Sequence, residues 1–445
     1  MIKKMELNEL KALLRESGVV GAGGAGFPTY AKLTAGVSTV ILNCAECEPL
    51  LKLHRQALEK YAEEILSALD VIVTATGAER GIVAVKSHYK AAVAAAEAVC
   101  AEYPRLSVFK LDSVYPSGDE VILVKTVTGK TIDPGELPAS VGVTVCNVET
   151  VYNVYRALKG IPVTHKFVTV AGEVKTPMTV YAPIGMSVSE LVSLAGGETV
   201  DDPAYINGGP MMGRIVTPYD PVTKTTNAII VLSEKHSVIM NKKRNGRINL
   251  RRTMSVCCQC HTCTDLCSRH VAGYPVEPHM VMRVLSNGGK GDTGALMGSM
   301  YCSGCGLCES YSCPQGLSPR ALIDEIKAQA RTHGVIPPRG IKALAHTEHE
   351  QYRKVSVTRL TSRLGLTRYD LPAPFAAIPE PTCVKIRLSQ HIGVPSTPTV
   401  SVGDKVKKGD VIAEAAEKGL GVRIHASVDG TVTDITQRYI KIEKQ

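Results

Sequence analysis

The chain has no tryptophan and only four phenylalanines in 445 residues, so the aromatic platforms on which single-stranded nucleic acids stack are scarce. Its formal charge of +9 is mildly basic and partly concentrated in "NKKRNGRINLRR", residues 241–252. That stretch contains no aromatic residue, and no nucleic-acid partner is expected; it reads as a solvated linker or as a docking edge for an acidic redox partner. Long hydrophobic runs are also missing. Nothing approaches the roughly 20 apolar residues that span a bilayer, so no direct membrane span is expected. The opening "MIKKMELNELKALLRES" sets Ile2, Met5, Leu10, Leu13 and Leu14 at helical spacing, not in the continuous apolar core of a signal peptide. With 44 % hydrophobic and 21 % charged residues, the composition is that of ordinary globular material, long enough for about three or four domains.

Cysteine, by contrast, is plentiful and clustered. In "SVCCQCHTCTDLC", Cys257, Cys260, Cys263 and Cys267 read C-x2-C-x2-C-x3-C, leaving Cys258 over. In "CSGCGLCESYSCP", Cys302, Cys305, Cys308 and Cys313 read C-x2-C-x2-C-x4-C-P. Three thiolates at two-residue gaps converge on one corner of a cubane, whereas zinc sites usually split their ligands between two separated knuckles. Disulfides across such short gaps would be strained and suit an oxidising compartment. Two [4Fe–4S] clusters are therefore expected, in a reducing cytoplasm. In the bacterial two-cluster run the fourth cysteine ligates the other cluster. The expected sets are thus Cys257, Cys260, Cys263 with Cys313, and Cys302, Cys305, Cys308 with Cys267. Cys313 follows one residue later than the usual spacing. His261, lying between ligands, reads as a polar neighbour.

Along the rest of the chain, "SGVVGAGGAGFPTYAKL" places Gly21, Gly23, Gly24 and Gly26 ahead of Phe27, and such a loop brings bare N–H groups close to a ligand. A strand in "STVILNCAECEPL", a helix near 54–69, a buried strand in "DVIVTATGA" (70–78), a helix at 87–101 and a strand at 106–111 alternate as in an α/β domain. The strand-end loops "NCAECEP", "VYPSGDE" and "VCNVET" are where such sheets hold ligands. Residues 163–232 read as a β-grasp module with "INGGPMMG" as a tight turn. A Pro-rich stretch, "LPAPFAAIPEPT", precedes an all-β tail with turns at Gly403-Asp404, Gly409-Asp410 and Asp429-Gly430. Cys44 and Cys47, although spaced as a redox pair, read as packing residues, and Lys418 lacks the flanks of a lipoylated hairpin lysine.

"GAGGAGFPT", "NCAECEP", "YPSGDE" and "NVET" resemble the flavin-binding subunit of respiratory complex I and the RnfC component of Rnf electron-transport complexes, and "INGGPMMG" with the paired cysteine runs is closer to the latter. "LSQHIGVPSTPTVSVGDKVKKGDVIAEA" resembles the barrel-sandwich module that opens RnfC, yet here it closes the chain. That order is similar to the PduS-type cobalamin reductases of propanediol-utilisation microcompartments. The resemblance implies a multidomain α/β and α+β protein. Its parts would be an FMN/NADH-binding α/β domain (1–160), an SLBB-like β-grasp domain (161–235), a helical ferredoxin-like domain with two [4Fe–4S] clusters (236–340), a linker (341–382) and a lipoyl-like barrel-sandwich domain (383–445).

It also implies noncovalent FMN held by Gly21, Gly23, Gly24, Gly26, Asn43, Glu46, Tyr115, Gly118, Asp119 and Asn147. NADH as substrate would use Phe27 for stacking, with Lys32, Glu48 and Glu120 near its polar groups. Ala35 and Ala45 depart from the complex I pattern, which has an aromatic residue and an aspartate there, and Tyr30 is the candidate replacement for the aromatic one. The implied activity is electron transfer from NADH through FMN and the clusters to cobalamin. The implied partners are the corrinoid or a corrinoid adenosyltransferase and a shell protein, inside a cytoplasmic microcompartment. The competing readings are an Rnf-like protein feeding a membrane complex or another reductase, and a non-catalytic iron–sulfur scaffold or sensor.

Overall fold

A computed structural model describes residues 5–244, 246–344 and 350–444. Ile2 of the N-terminal stripe, Asn245 of the basic stretch and residues 345–349 of the expected linker lie outside the described residues.

Four apolar runs form a parallel sheet: β1 (Thr39–Cys44), β2 (Arg80–Lys86), β3 (Leu106–Leu111) and, after a short β4 (Val114–Tyr115), β5 (Val143–Asn147). The order β3-β2-β1-β5 makes the chain leave β1 toward β2 and later return on its other side. A topological switch therefore lies between β1 and β5, where open α/β sheets bind ligands beyond the strand ends. In register, Asn43 of β1 pairs with Asn147 of β5 at that point. One sheet face carries the helices Ala62–Thr76 and Val148–Leu158 in a core with Leu42, Val83 and Ile72. The other, with Ile41, Val143 and Val145, packs against Tyr274, Tyr301 and Cys267 of the cysteine-rich domain. Both faces are covered, which accounts for near-continuous apolar strands instead of alternation.

The strand expected at 70–78 is corrected: those residues continue the helix Ala62–Thr76, which ends on Gly77 in the left-handed conformation (φ +72°). A short apolar run does not by itself separate a buried strand from a buried helix, and the glycine here is a helix C-cap. The helix expected at 54–69 is likewise two, Leu53–Lys60 and Ala62–Thr76, divided at Tyr61.

The β-grasp domain contributes β6 (His165–Gly172), β7 (Met178–Pro183), β8 (Pro203–Asn207), β9 (Arg214–Val216) and β10 (Ala228–Ser233). The segment read as a linker is not one. Its β11 (Val355–Ser356) pairs antiparallel with β4, and its β12 (Phe375–Ala376) joins the β-grasp sheet beside β7. Between them the helix Val357–Arg363, capped by the Ser356 hydroxyl, buries Leu360. Its prolines mark strand edges, not a free spacer. The tail forms two small antiparallel sheets. No helix among the described residues is long and apolar enough to cross a membrane.

Candidate redox centre

The cysteine runs are built alike. In the first, Gln259 and His261 have φ of +54° and +69°; in the second, Gly304 and Gly306 have +71° and +79°. These are the second and fourth residues after Cys257 and after Cys302, so the two loops share one backbone path and Cys257, not Cys258, corresponds to Cys302. Left-handed residues alternating with ordinary ones turn backbone N–H groups inward, a nest suited to an anionic iron–sulfur core. The second run meets the requirement with glycine; the first accepts it at Gln259 and His261, where a side chain disfavours this conformation. His261 is a neighbour: its Nδ1 lies 2.9 Å from Asp265 Oδ1.

The fourth cysteines cross over. Cys257, Cys260, Cys263 and Cys313 line one small cleft, which Cys258, His261 and His279 also border, while Cys267 lies within electrostatic reach of Cys302 and Cys305, as does Cys308 of all three. The extra residue before Cys313 is absorbed by a π-turn over Cys308–Ser312, a one-residue expansion that recurs at functional sites. Cys267 and Cys313 then adopt matching backbone angles (φ −71°, ψ 114° and φ −77°, ψ 114°). Eight thiols in two groups of four, with Cys258 set aside by the register, match two cubanes in kind and number, while no three possible ligands among the described residues stand close enough to hold a single metal ion. The Cys267 set is almost entirely buried, whereas Cys260 is exposed. Cys258→Ser should therefore keep about eight iron atoms after anaerobic reconstitution and Cys257→Ser about four. The opposite pattern in an iron assay would shift the register by one.

The inner set is fastened to the α/β domain. Tyr115, 3 % exposed, donates its hydroxyl to the Cys305 carbonyl at 2.6 Å. Arg269, two residues after Cys267, grips Asp119 through both carboxylate oxygens at 2.8 and 2.9 Å. Asp119 also caps the helix Glu120–Thr128, accepting from Val121 N at 3.0 Å. Asp119 and Tyr115, assigned to flavin by resemblance, are thus committed to joining the two domains.

Around the switch point the structure gathers most of the other expected residues. The Asn43 amide donates to the Gly118 carbonyl (3.1 Å) and its oxygen accepts from Ala45 N (3.0 Å). Asn147 caps the helix that follows it by accepting from Glu149 N at 2.9 Å. A Cβ on Gly23 would stand 3.2 Å from the Asn147 amide, and one on Gly118 would stand 3.3 Å from Cys47 Sγ. At both positions a side chain would crowd its neighbour by a few tenths of an ångström. Glu46 has φ +27°, and its carbonyl accepts from Lys86 and Tyr89, each at 3.2 Å. Its Oε1 accepts from His54 N at 2.8 Å and its Oε2 is ion-paired with Arg55 Nε at 3.6 Å, while the Ser117 hydroxyl is buried without a hydrogen-bond partner. A buried hydroxyl of that kind is normally satisfied, so Ser117 offers a spare donor to a polar, phosphate-bearing ligand such as FMN. Burial raises the Glu46 pKa and pushes the Cys47 thiol up to about 11, which keeps Cys47 protonated and unsuited to exchange with Cys44.

Asn43→Ala should weaken FMN binding by on the order of 10-fold, the worth of a buried hydrogen bond, while iron content stays at the parent level. Fluorescence titration with FMN measures it, and an unchanged affinity would remove Asn43 from the cradle.

The nucleotide candidates are divided. Lys32 and Glu120 form an ion pair with each other, and half-buried Phe27 closes the glycine loop by accepting from Gly21 N at 2.8 Å. Glu48 is engaged elsewhere: its carboxylate accepts from Met211 N (2.9 Å) and Met212 N (2.8 Å) of the "INGGPMMG" turn. Tyr30 accepts from Gly421 N at 3.4 Å and sits under Arg15. Lys86, Tyr89, Arg269 and the tail carry no sequence signal for this site, since no local pattern marks a buried lysine at a strand end or a contact across 150 residues. The tail touches the end of the glycine loop, with Ile392 N donating to the Gly26 carbonyl at 3.0 Å, while Gly23 and Gly24 stay exposed. Lys224, whose pKa burial lowers to about 7, donates to the carbonyls of Gly18 (2.7 Å) and Arg423 (3.1 Å).

Comparison with known proteins agrees with this architecture. Residues 14–156 match the Nuo51 FMN-binding domain, 167–215 the SLBB domain, 256–318 the 4Fe-4S dicluster domain and 371–445 the RnfC barrel sandwich hybrid domain. The chain is 41 % identical to cobalamin reductase PduS of Salmonella typhimurium, over 98 % of this chain and 97 % of that one. It is also 41 % identical to PduS of Citrobacter freundii, over 97 % and 96 %. The C component of the Na(+)-translocating ferredoxin:NAD(+) oxidoreductase complex of Acetobacterium woodii is 31 % identical over 61 % of this chain and 60 % of its own length. Among solved structures, an NAD+-reducing [NiFe]-hydrogenase shares the fold, with a TM-score of 0.50 and 19 % identity over 78 % of this chain and 69 % of that one.

Proposed function

The chain belongs to the PduS family of cobalamin reductases, and from that premise we propose that it is an NADH-dependent flavo-iron–sulfur oxidoreductase that reduces cob(III)alamin to cob(II)alamin and onward to cob(I)alamin, in support of a B12-dependent diol dehydratase. FMN takes the two electrons of a nicotinamide hydride together and releases them singly, and a [4Fe–4S] cluster carries one. For the first reduction, one NADH yields NAD+, a proton and two electrons, so two Co(III) centres become Co(II), each losing its upper axial ligand.

The observation that carries this reading is the fastening of the inner cysteine set to the flavin-binding domain by Tyr115–Cys305 and Asp119–Arg269. Those bonds hold a one-electron site rigidly beside the loops expected to hold the flavin, with the second, more exposed set farther toward solvent. The chain's own residues supply the polar groups at the switch point and the glycine loop, whose exposed Gly23 and Gly24 leave backbone open to a ligand. Anaerobic NADH should bleach the flavin absorbance, and cob(III)alamin added next should restore it as cob(II)alamin appears. Flavin that stays oxidised under excess NADH would refute the reading.

The partners follow from the same premise. Cob(I)alamin is a strong reductant, so a corrinoid adenosyltransferase that traps it at once is the natural recipient, and a microcompartment shell protein the natural neighbour. A propanediol-utilisation microcompartment is the proposed location, and the likeness to PduS supports it.

A further inference from the structure

The segment read as a linker forms one side of an open surface depression of about 570 Å³, and the cysteine runs form the other. Thr358, Arg359, Ser362 and Arg363 come from the helix Val357–Arg363; Thr262 and Ser312 come from the two cysteine runs, next to Cys263 and Cys313. The volume lies within the range of small-molecule sites. Arg359 and Arg363 stand one helical turn apart, an arrangement of like charges that repels unless an anion bridges it. Neither guanidinium has an ion pair or hydrogen bond among the described residues. The acids on the neighbouring elements are already engaged, Asp265 with His261 at 2.9 Å and Glu309 with Arg320 at 2.8 Å. Ser312, 5 % exposed, has a buried hydroxyl with no partner among the described residues. The helix itself is held in place by the β4–β11 pairing, in which Val355 stands opposite Tyr115, the residue bonded to Cys305.

We propose that this depression binds the phosphodiester-bearing nucleotide tail of the corrinoid, so that the electron acceptor is anchored within one residue of Cys263 and Cys313. The inference rests on the cobalamin-reductase reading and adds the place of binding. Two arginine forks with the hydroxyls of Thr358 and Ser362 beside them match a phosphodiester, since guanidinium recognises phosphate oxygens in pairs, while the Thr262 hydroxyl is held by Cys260 Sγ at 3.4 Å. The depression is too small to enclose a whole corrinoid, so the corrin ring remains at its mouth, over the more exposed cysteine set. A corrinoid without the nucleotide, cobinamide, lacks the phosphodiester and would lose this anchor.

The test is equilibrium dialysis of cyanocobalamin and dicyanocobinamide against the holoprotein and its Arg359→Gln/Arg363→Gln double variant, with KM for cob(III)alamin measured alongside. Both arginines are exposed, and iron content with NADH-to-dye activity reports whether the variant is intact. The double variant should bind cyanocobalamin on the order of 10-fold or more weakly, from the loss of charge-assisted bonds, with KM rising in parallel and kcat little changed. Cobinamide, weaker in the parent, should be unaffected, and millimolar inorganic phosphate should compete with cyanocobalamin only in the parent. Unchanged cyanocobalamin affinity in the variant, or an equal loss for cobinamide, would overturn the site while leaving the reductase reading in place. A parent that neither binds nor reduces any corrinoid would overturn both.

Discussion

Cys302→Ser should lower NADH-dependent cobalamin reduction by on the order of 100-fold while NADH-to-dye electron transfer at the flavin stays at the parent rate, because the two-to-one electron conversion then has no inner acceptor. Cys302 belongs to the set bonded to the flavin-binding domain, and its loss separates that domain from the exposed set. Iron should fall from about eight to about four atoms, since the other four cysteines form their own group. A serine is close in size to cysteine, and Cys302 lies at the start of its loop, so the Cys257 set is left intact. The paired readouts distinguish a broken path from a broken protein. If cobalamin reduction persisted at the parent rate with only about four irons present, the inner set would lie off the path, and a structural or sensing role for it would follow.

Lys166→Met should cost about 3–5 kcal/mol, the usual consequence of stranding one member of a buried ion pair. Lys166 is 1 % exposed and pairs with Glu149, which is 0 % exposed. It also donates to Asn227 Oδ1 at 2.9 Å, and Glu149 accepts from Phe167 N at 2.9 Å. This cluster joins the helix following Asn147 to the first strand of the β-grasp domain, so a fault there loosens the cradle as well as the fold. The midpoint of the first thermal transition should fall, and FMN should dissociate on heating before the iron is lost. Adding Glu149→Gln should recover a substantial part of the loss, because the stranded carboxylate is then gone. A single variant within about 1 kcal/mol of the parent would mean that water reaches Glu149.

The parts legible in the sequence are those set by local chemistry. Cysteine spacing points to both the kind of metal centre and the register, because a two-residue gap leaves few backbone paths. The alternation of apolar runs and helical patterns locates most of the parallel sheet. At residues 70–78 the pattern fails, since Val71, Ile72 and Val73 are all buried and such a run carries no period. The segment 350–376 fails for a different reason. Its prolines and short apolar stretches make sense only against β4 and β7, strands distant in sequence. Tyr115 and Asp119 show the same limit: their motif points to the flavin, but the partners they have, Cys305 and Arg269, lie at separations of 190 and 150 residues. Glu48 likewise finds its partners in the "INGGPMMG" turn, through a contact that no local window contains.

The permuted position of the barrel-sandwich module also acquires a physical role. At the C-terminus it still reaches the glycine loop, with Ile392 bonded to Gly26 and Gly421 to Tyr30. Gly26 itself, at φ +69°, has no room for a side chain against Thr225 and His391. In this chain the module therefore braces the end of the loop from outside.

The central claim is that two-electron oxidation of NADH is converted into single-electron reduction of cobalt along one protein. The most direct measurement counts cob(II)alamin formed per NADH consumed, anaerobically, with limiting NADH and excess cob(III)alamin. About two cob(II)alamin per NADH is predicted, from the electron balance of hydride against one-electron reduction, with no NADH consumed when cobalamin is withheld beyond that needed to reduce the protein itself. NADH consumption that continues without matching cobalt reduction would contradict it.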